Sequence, residues 1–531
     1  MKRILFISLT FLSFCVQAQF GGIKLQESKV YTMTTARVQN DYILPDNHGG
    51  FITISTKRSG FLANPLVFES YANHYNNQLE AVKSKTFKLN KGSIKGSIKG
   101  AFVNGNTLAL INMEVNYRKK YFSFKKILSD IDKGEAVKEE EFFKINWIYP
   151  KNEVNLYVNL NSLYYQKLKY YSDVNFFNPK IFIKFSQNNQ FFSIVYRDIN
   201  EQQTTYHLTV FDKKFQLKYQ TVFSYPVSTK LFYINDIVVN DSDGTVYVIA
   251  KIYKTDPMKK NRFINTDNLK TFTLFKASSK GVINKSFKPE KVVEKLHLAL
   301  QDQLYVFGFY RNRYIDLNDI DGITHYNIST TSLRIDNQSF QKFSQKPVAT
   351  EYKKNHKKTK NHTMIIRNWF LTDKGSLIIN AEDMYIPLMM KKKDRETDIR
   401  EIVSNIFSVK IDKTGNILWS KKIFKHQIVK PRLALHSYFS CMIDNNNYIF
   451  FTDSRLKKPS NNDPFYLNQK DLQNLNGIKI SPYGDIQTGI VKENKRSKFR
   501  FMPIEGIMIN PREAIIPAKD HQYIKFYKIS F

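Results

Sequence analysis

Apolar and polar positions alternate with a period of two through most of this chain. Phe51-Ile-Thr-Ile-Ser, Val246-Tyr-Val-Ile-Ala, Leu304-Tyr-Val-Phe-Gly and Tyr448-Ile-Phe-Phe-Thr are short β-branched or aromatic runs bounded by Asn, Asp or Gly. Such runs predict β-strands, because a pleated, half-buried surface suits these side chains. No long stretch carries a helical apolar stripe. Residues 130–144 come nearest to helix, being short and charged, and read as a surface excursion.

A second pattern is a strand, a polar turn and a strand back. It occurs at Val210 to Leu217 around Asp212, at Phe275 to Ile283 around Gly281, and at Ile478 to Ile486 around Gly484. The clearest case is Val409-Lys-Ile-Asp412-Lys-Thr-Gly415-Asn-Ile-Leu-Trp419, and Phe87 to Ile94 is a shorter one. Turn residues that tolerate positive φ, flanked by alternating strands, are what a hairpin needs. Between these hairpins lies another strand pair, at 103–116, 188–199, 235–253, 296–309, 365–385 and 436–454.

Alternating the two kinds gives four-stranded units, placed at 49–98, 101–160, 181–223, 234–288, 294–344, 364–424 and 436–491. A series of such units predicts an all-β fold, a β-propeller of about seven blades with six to eight allowed. Strands at 504–531 would pair with strands near 28–44 to close the ring. Two packed β-sandwiches are the competing architecture.

The run Asp412-Lys-Thr-Gly415-Asn-Ile-Leu-Trp419 resembles the Asp-x-x-Thr-Gly-x-x-x-Trp repeat of quinoprotein-like (PQQ-like) propellers. The stretch around 400–455 also resembles uncharacterised secreted propeller-like proteins of Bacteroidota. The resemblance implies structural roles for Asp412, Gly415 and Trp419, whose ring would dock on a neighbouring blade. The other hairpins lack the Trp, and no cofactor residues match, so no cofactor is expected.

Composition adds the compartment. Lys2-Arg3, the apolar run from Ile4 to Val16 and Val16-Gln-Ala18 have the order of a signal peptide cleaved after Ala18. Residues 1–18 are therefore expected to leave, with 19–531 forming one propeller domain exported to the periplasm, the outer-membrane surface or beyond. Phe14 before Cys15 argues against a lipoprotein signal. Only Cys441 then remains, so no disulfide framework is expected.

The chain carries 81 basic and 47 acidic residues, a formal net charge of +34. Such a field favours anionic partners, a glycan, a lipid surface or an acidic protein, with nucleic acid the weaker option. A/T-rich codons would also enrich Lys, so the charge need not all serve binding. In a four-stranded blade A-B-C-D, strand direction puts A–B and C–D turns on one face and B–C turns and inter-blade links on the other. That parity gathers Lys259, Lys260, Arg262, Arg311, Arg313, Lys353, Lys357, Lys391, Lys392, Lys393, Lys457 and Lys458 onto one basic face, with Arg118, Lys119 and Lys120 beside them. Solvated loops gather charge in any protein, which is the competing account.

Catalytic motifs are missing from the sequence: there is no Gly-x-Ser-x-Gly and no His-Glu-x-x-His. Gly92 to Gly100 is glycine-rich without phosphate-loop spacing and reads as two turns. Asp316, Asp319 and Asp321 form the densest acidic cluster, but the calcium-loop pattern fails at its twelfth position, and a plain turn is the simpler reading. His356, His362, His426 and His436 read as solvated or structural, and Tyr314 and Tyr385 as the loop aromatics able to stack on a sugar or base. The leading expectation is a non-enzymatic envelope protein with a basic binding face. The contrasting one is a polysaccharide-active enzyme with carboxylates at a central channel.

Overall fold

A computed structural model describes residues 20, 22–33, 38–59, 66–89, 94–116, 118–133, 136–146, 181–198, 202–255, 269–293, 295–312, 320–344, 362–385, 401–425, 427–429, 437–453, 474–494 and 497–531. They form eight antiparallel sheets, each built on a four-strand meander. Blades 1 to 7 occupy 38–88, 94–146, 181–225, 232–287, 292–342, 362–429 and 438–492, and blade 8 combines 500–530 with 24–32. The first strands of neighbouring blades touch, so strand A is innermost and strand D lies at the rim.

Burial explains the sequence pattern. Inner strands are covered on both faces and read as continuous apolar runs: Leu304–Arg311 is buried at every residue and Val246–Tyr253 at all but the last. Rim strands such as Leu217–Tyr225 and Gly281–Phe287 alternate weakly and stay mostly exposed, with lysines that discourage edge pairing. Each of the eight blade interfaces holds its own apolar cluster. One example is Phe192, Phe211 and Phe215 against Phe102 between blades 2 and 3.

The ring closes by a borrowed strand. Lys24–Glu27 pairs with Tyr523–Ser530, register Lys24 to Ser530, and so supplies the rim strand of blade 8. Ahead of it, Phe20 is buried at 1% exposure in the cluster between blades 7 and 8. Gly477 and Gly489 face each other across strands C and D of blade 7, and a Cβ on either would come within 2.8 Å of the Phe20 ring. The two glycines make a slot for that one aromatic.

Several expectations are corrected. The count is eight, at the upper end of the expected six to eight, because the strands at 504–531 form a whole blade once the N-terminal strand joins them. The closing partners are 24–27 and 31–32, whereas Val38–Pro45 opens blade 1. Ala136–Asn146 is the rim strand of blade 2, where Glu139, Glu140, Glu141 and Lys144 are exposed along an edge, and not a helix-like excursion. Phe87 ends blade 1 and Ile94 begins blade 2, so that segment is an inter-blade link and not a hairpin. Gly96 and Gly100 sit inside strand Ile94–Asn104, where a Cβ at Gly100 would meet the Phe185 ring of blade 3 at 2.6 Å.

Candidate functional site

The innermost strands share a feature that periodicity does not announce. In blades 1, 2, 4 and 6 a β-bulge interrupts strand A four or five pairs from the A–B turn, leaving Asp41, Lys99, Asn235 and Arg367 as extra residues. Blades 5 and 8 break strand A at the same level, between Val293 and His297 and between Phe501 and Ile507. Bulges bend a strand and re-aim its side chains. Here they set a belt of polar residues into the wall around the axis.

Three parts of this belt differ. At the seam between blades 8 and 1, Asn40 Nδ2 donates to Glu505 at 3.2 Å, Ser55 Oγ donates to Asn40 at 2.8 Å, and Thr56 bonds both Asp41 and Ser70. Between blades 6 and 7, Glu382 is wholly buried against Lys425, with Arg367 at 2.9 Å and Ser437 donating at 2.7 Å. Burial alone would raise the Glu382 carboxyl, but Lys425 and Arg367 hold it below the usual carboxylate range. Gln427 extends that network to Thr452 and the Ser437 N–H.

The third part is an arc across blades 3, 4, 5 and 6. Lys184 Nζ lies 3.8 Å from Asp236, and His297 Nδ1 lies 3.7 Å from the same carboxylate. Asp236 also accepts from the Ile237 and Leu298 N–H groups. Trp369, half-buried, packs against His297 and Phe307 with ring centroids 5.6 and 5.7 Å apart. Each of Lys184, Asp236, His297 and Trp369 stands on the innermost strand of its blade.

Strand alternation sends every B–C connection and inter-blade link from one face. The tight turns of the other face are capped by acids: Asp412 accepts from the Thr414 and Asn416 N–H groups at 2.8 and 2.9 Å. Burial pushes the Asp412 carboxyl up, but bonds from Thr414 and Asn416 more than offset it and hold it low. Gly415 has φ of 88°, and a Cβ there would strike Ser339 of blade 5. Trp419 Nε1 donates to Pro482 O of blade 7 at 3.1 Å, so its ring does dock on the neighbouring blade.

Among the basic-face residues, Arg311 is described and is buried at 5% exposure at the end of its strand, not displayed on a loop. Lys259, Lys260, Arg262, Arg313, Lys353, Lys357, Lys391, Lys392, Lys393, Lys457 and Lys458 lie outside the described residues. Arg118, Lys119 and Lys120 form the exposed B–C turn of blade 2, with Asn116 accepting from the Arg118 and Lys119 N–H groups. Asp316 and Asp319 lie outside the described residues. Asp321 works as a turn cap, accepting from the Asn312 N–H at 2.7 Å. No group of three metal-ligating side chains occurs among the described residues. Cys441 is buried, and burial pushes its thiol up. His356, His426, His436 and Tyr314 fall outside the described residues.

Sequence reading missed Asn40, Asp236, His297, Arg367, Glu382, Lys425 and Glu505. The available signal was a charged residue inside an otherwise apolar strand, as with Asp236 in Phe232–Val239.

No protein-family model and no curated protein matches this chain. Solved structures do match over nearly its whole length. The β-propeller domain of the Trilobed protease from Pyrococcus furiosus is 9% identical, with a TM-score of 0.32, covering 92% of this chain and 98% of that one. Polysaccharide lyase Uly1 is 10% identical, with a TM-score of 0.36 and coverages of 95% and 99%. Chaetomium thermophilum Sqt1, solved with the N-terminus of ribosomal protein L10, is 8% identical, with a TM-score of 0.38 and coverages of 93% and 98%. Likeness this remote assigns no activity. Among the described residues, no helix is long and apolar enough to cross a membrane.

Proposed function

We propose that this chain is an exported, non-enzymatic binding protein of the cell envelope that offers the cationic face of its propeller to an anionic glycan. The observation that carries this reading is the density of positive charge in one inter-blade link. The link 343–361 alone holds Lys346, Lys353, Lys354, Lys357, Lys358 and Lys360 against one acid, Glu351. The opposite turns mix Asp241, Asp243, Asp302, Asp412, Asp444 and Asp485 with Lys213, Lys214, Lys280, Lys374, Lys413 and Arg512. Like charge gathered on one face costs repulsion that an anionic partner relieves.

The enzymatic alternative asks for free carboxylates converging at the axis. Asp41, Asp236 and Glu505 are instead each engaged, by Thr56, by the Ile237 and Leu298 N–H groups and by Asn40.

The test is binding of residues 19–531 to arrays of sulfated and uronate glycans, anionic lipid vesicles and nucleic acid at rising salt. Glycan binding should weaken with salt and fall about tenfold or more when Lys353, Lys357, Lys391, Lys392 and Lys393 are changed to Glu. Equal binding by that variant, or a preference for lipid or nucleic acid, would overturn the glycan assignment.

A further inference from the structure

The interface between blades 7 and 8 is filled by a residue two places after the expected cleavage point. Phe20 is 1% exposed, and its ring lies where Gly477 and Gly489 leave room, since a Cβ on them would come within 2.8 and 2.7 Å of it. Its carbonyl accepts from the Ile23 N–H at 3.1 Å, which folds the chain back toward the strand Lys24–Glu27. Two glycines and an apolar cluster are committed to this one side chain, so the closed ring depends on its staying attached.

Cleavage after Ala18 makes Gln19 the first residue and Phe20 the second. The new α-amine then belongs to a residue whose Cα is about 3.8 Å from that of the buried Phe20. An ammonium beside an apolar interface loses hydration. Glu27, the first acid further along the chain, is already paired with Lys492 and Lys525. A free amine is also the handle by which an aminopeptidase would remove Gln19 and then Phe20, emptying the slot.

We infer that Gln19 is a modification site, closing on itself after cleavage to pyroglutamate and capping the end that carries Phe20. The inference rests on the export reading proposed above. An α-amine has an ordinary pKa of about 7.7–8.0, so a share of it is neutral and nucleophilic near pH 7. Its lone pair attacks the side-chain amide carbon Cδ, the N–Cδ bond forms and the Cδ–Nε2 bond breaks. Ammonia leaves with the proton that the amine gives up. The product is a five-membered lactam that needs no oxidant or co-reactant and removes the terminal charge. No ammonium is then left to desolvate beside Phe20, and no primary amine for an exopeptidase to grip.

The full chain, residues 1–531, expressed with export and recovered from the envelope fraction, tests this by mass spectrometry of its N-terminal peptide. The peptide should begin at residue 19, be lighter than its linear form by one ammonia and fail to react with an amine-labelling reagent. Gln19→Asn, one methylene too short to close the same ring, should keep a reactive amine. A broad-specificity aminopeptidase should strip residues 19 and 20 from that variant and lower its urea midpoint, under conditions that leave the parent whole.

A linear, labelled Gln19 in the exported parent would overturn the modification and leave the export reading standing. A chain that keeps Met1, or starts at another residue, would remove the export reading and the inference with it. Equal resistance of parent and Gln19→Asn to the aminopeptidase would overturn the protective role, showing that docked Phe20 shields the end by itself.

Discussion

The seam between blades 8 and 1 and the arc across blades 3 to 6 both stand on innermost strands, interrupted in every blade concerned but the third, yet they treat their polar groups differently. At the seam, Asn40, Ser55 and Glu505 are joined by direct bonds of 2.8 and 3.2 Å. Along the arc, Lys184 and His297 stand 3.8 and 3.7 Å from Asp236, and Asn235 Nδ2 has no partner. Asn40 and Glu505 are 465 positions apart in sequence, so joining them closes the whole chain and must offset a large loop entropy. Blades 3 to 6 follow one another in the chain and need no such lock. The Asn235 amide is a donor that the fold leaves unused, and such an unmet donor separates this wall from the seam better than charge does.

The largest expected effect is at a closed part of the belt. Glu382→Ala would leave Lys425 and Arg367 buried without their carboxylate and should cost about 3–5 kcal/mol, read as a lower urea midpoint. A loss under about 1 kcal/mol would mean that water enters this seam and that it is not closed.

Next comes the N-terminal lock. Phe20→Ala empties the slot between Gly477 and Gly489 and should cost about 3 kcal/mol, with faster amide exchange in Asn474–Ile480 and Ile486–Lys492. Unchanged exchange in those strands would show that Phe20 does not hold the ring shut.

These effects also mark what sequence could and could not reveal. Blades 3 to 7 were legible because their strands are buried on both faces and their turns carry Asp and Gly, as at Asp412 and Gly415. Blades 1 and 2 were misphased because Lys95 and Lys99, around Gly96 and Gly100, break the apolar run of an inner strand. The bulges escaped notice because one inserted residue alters alternation no more than an ordinary substitution would. Asp236 and Glu382 look like exposed-face residues in a strand pattern until the neighbouring blade is in place.

A smaller effect depends on pH. His325 in blade 5 is 1% exposed, neither ring nitrogen has a partner, and burial pushes its pKa down to about 4 despite the nearby Asp412. Below about pH 6.5 the unfolded chain takes up a proton that the folded chain refuses, so stability falls until about pH 4 and then levels. His325→Gln should remove on the order of 2–3 kcal/mol of that pH-dependent loss, measured as the difference between the two proteins in urea titrations from pH 7 to 4. Parallel pH profiles would place His325 in contact with water.

The most direct measurement sets the two walls of the channel against each other in paired urea unfolding of Asn40→Ala and Asn235→Ala without ligand. Asn40→Ala removes the bonds to Glu505 and Ser55 and should lose about 1–2 kcal/mol, while Asn235→Ala, whose Nδ2 makes no bond, should stay within about 0.5 kcal/mol of the parent. Equal losses in the two variants would contradict the distinction between a locked seam and an open arc.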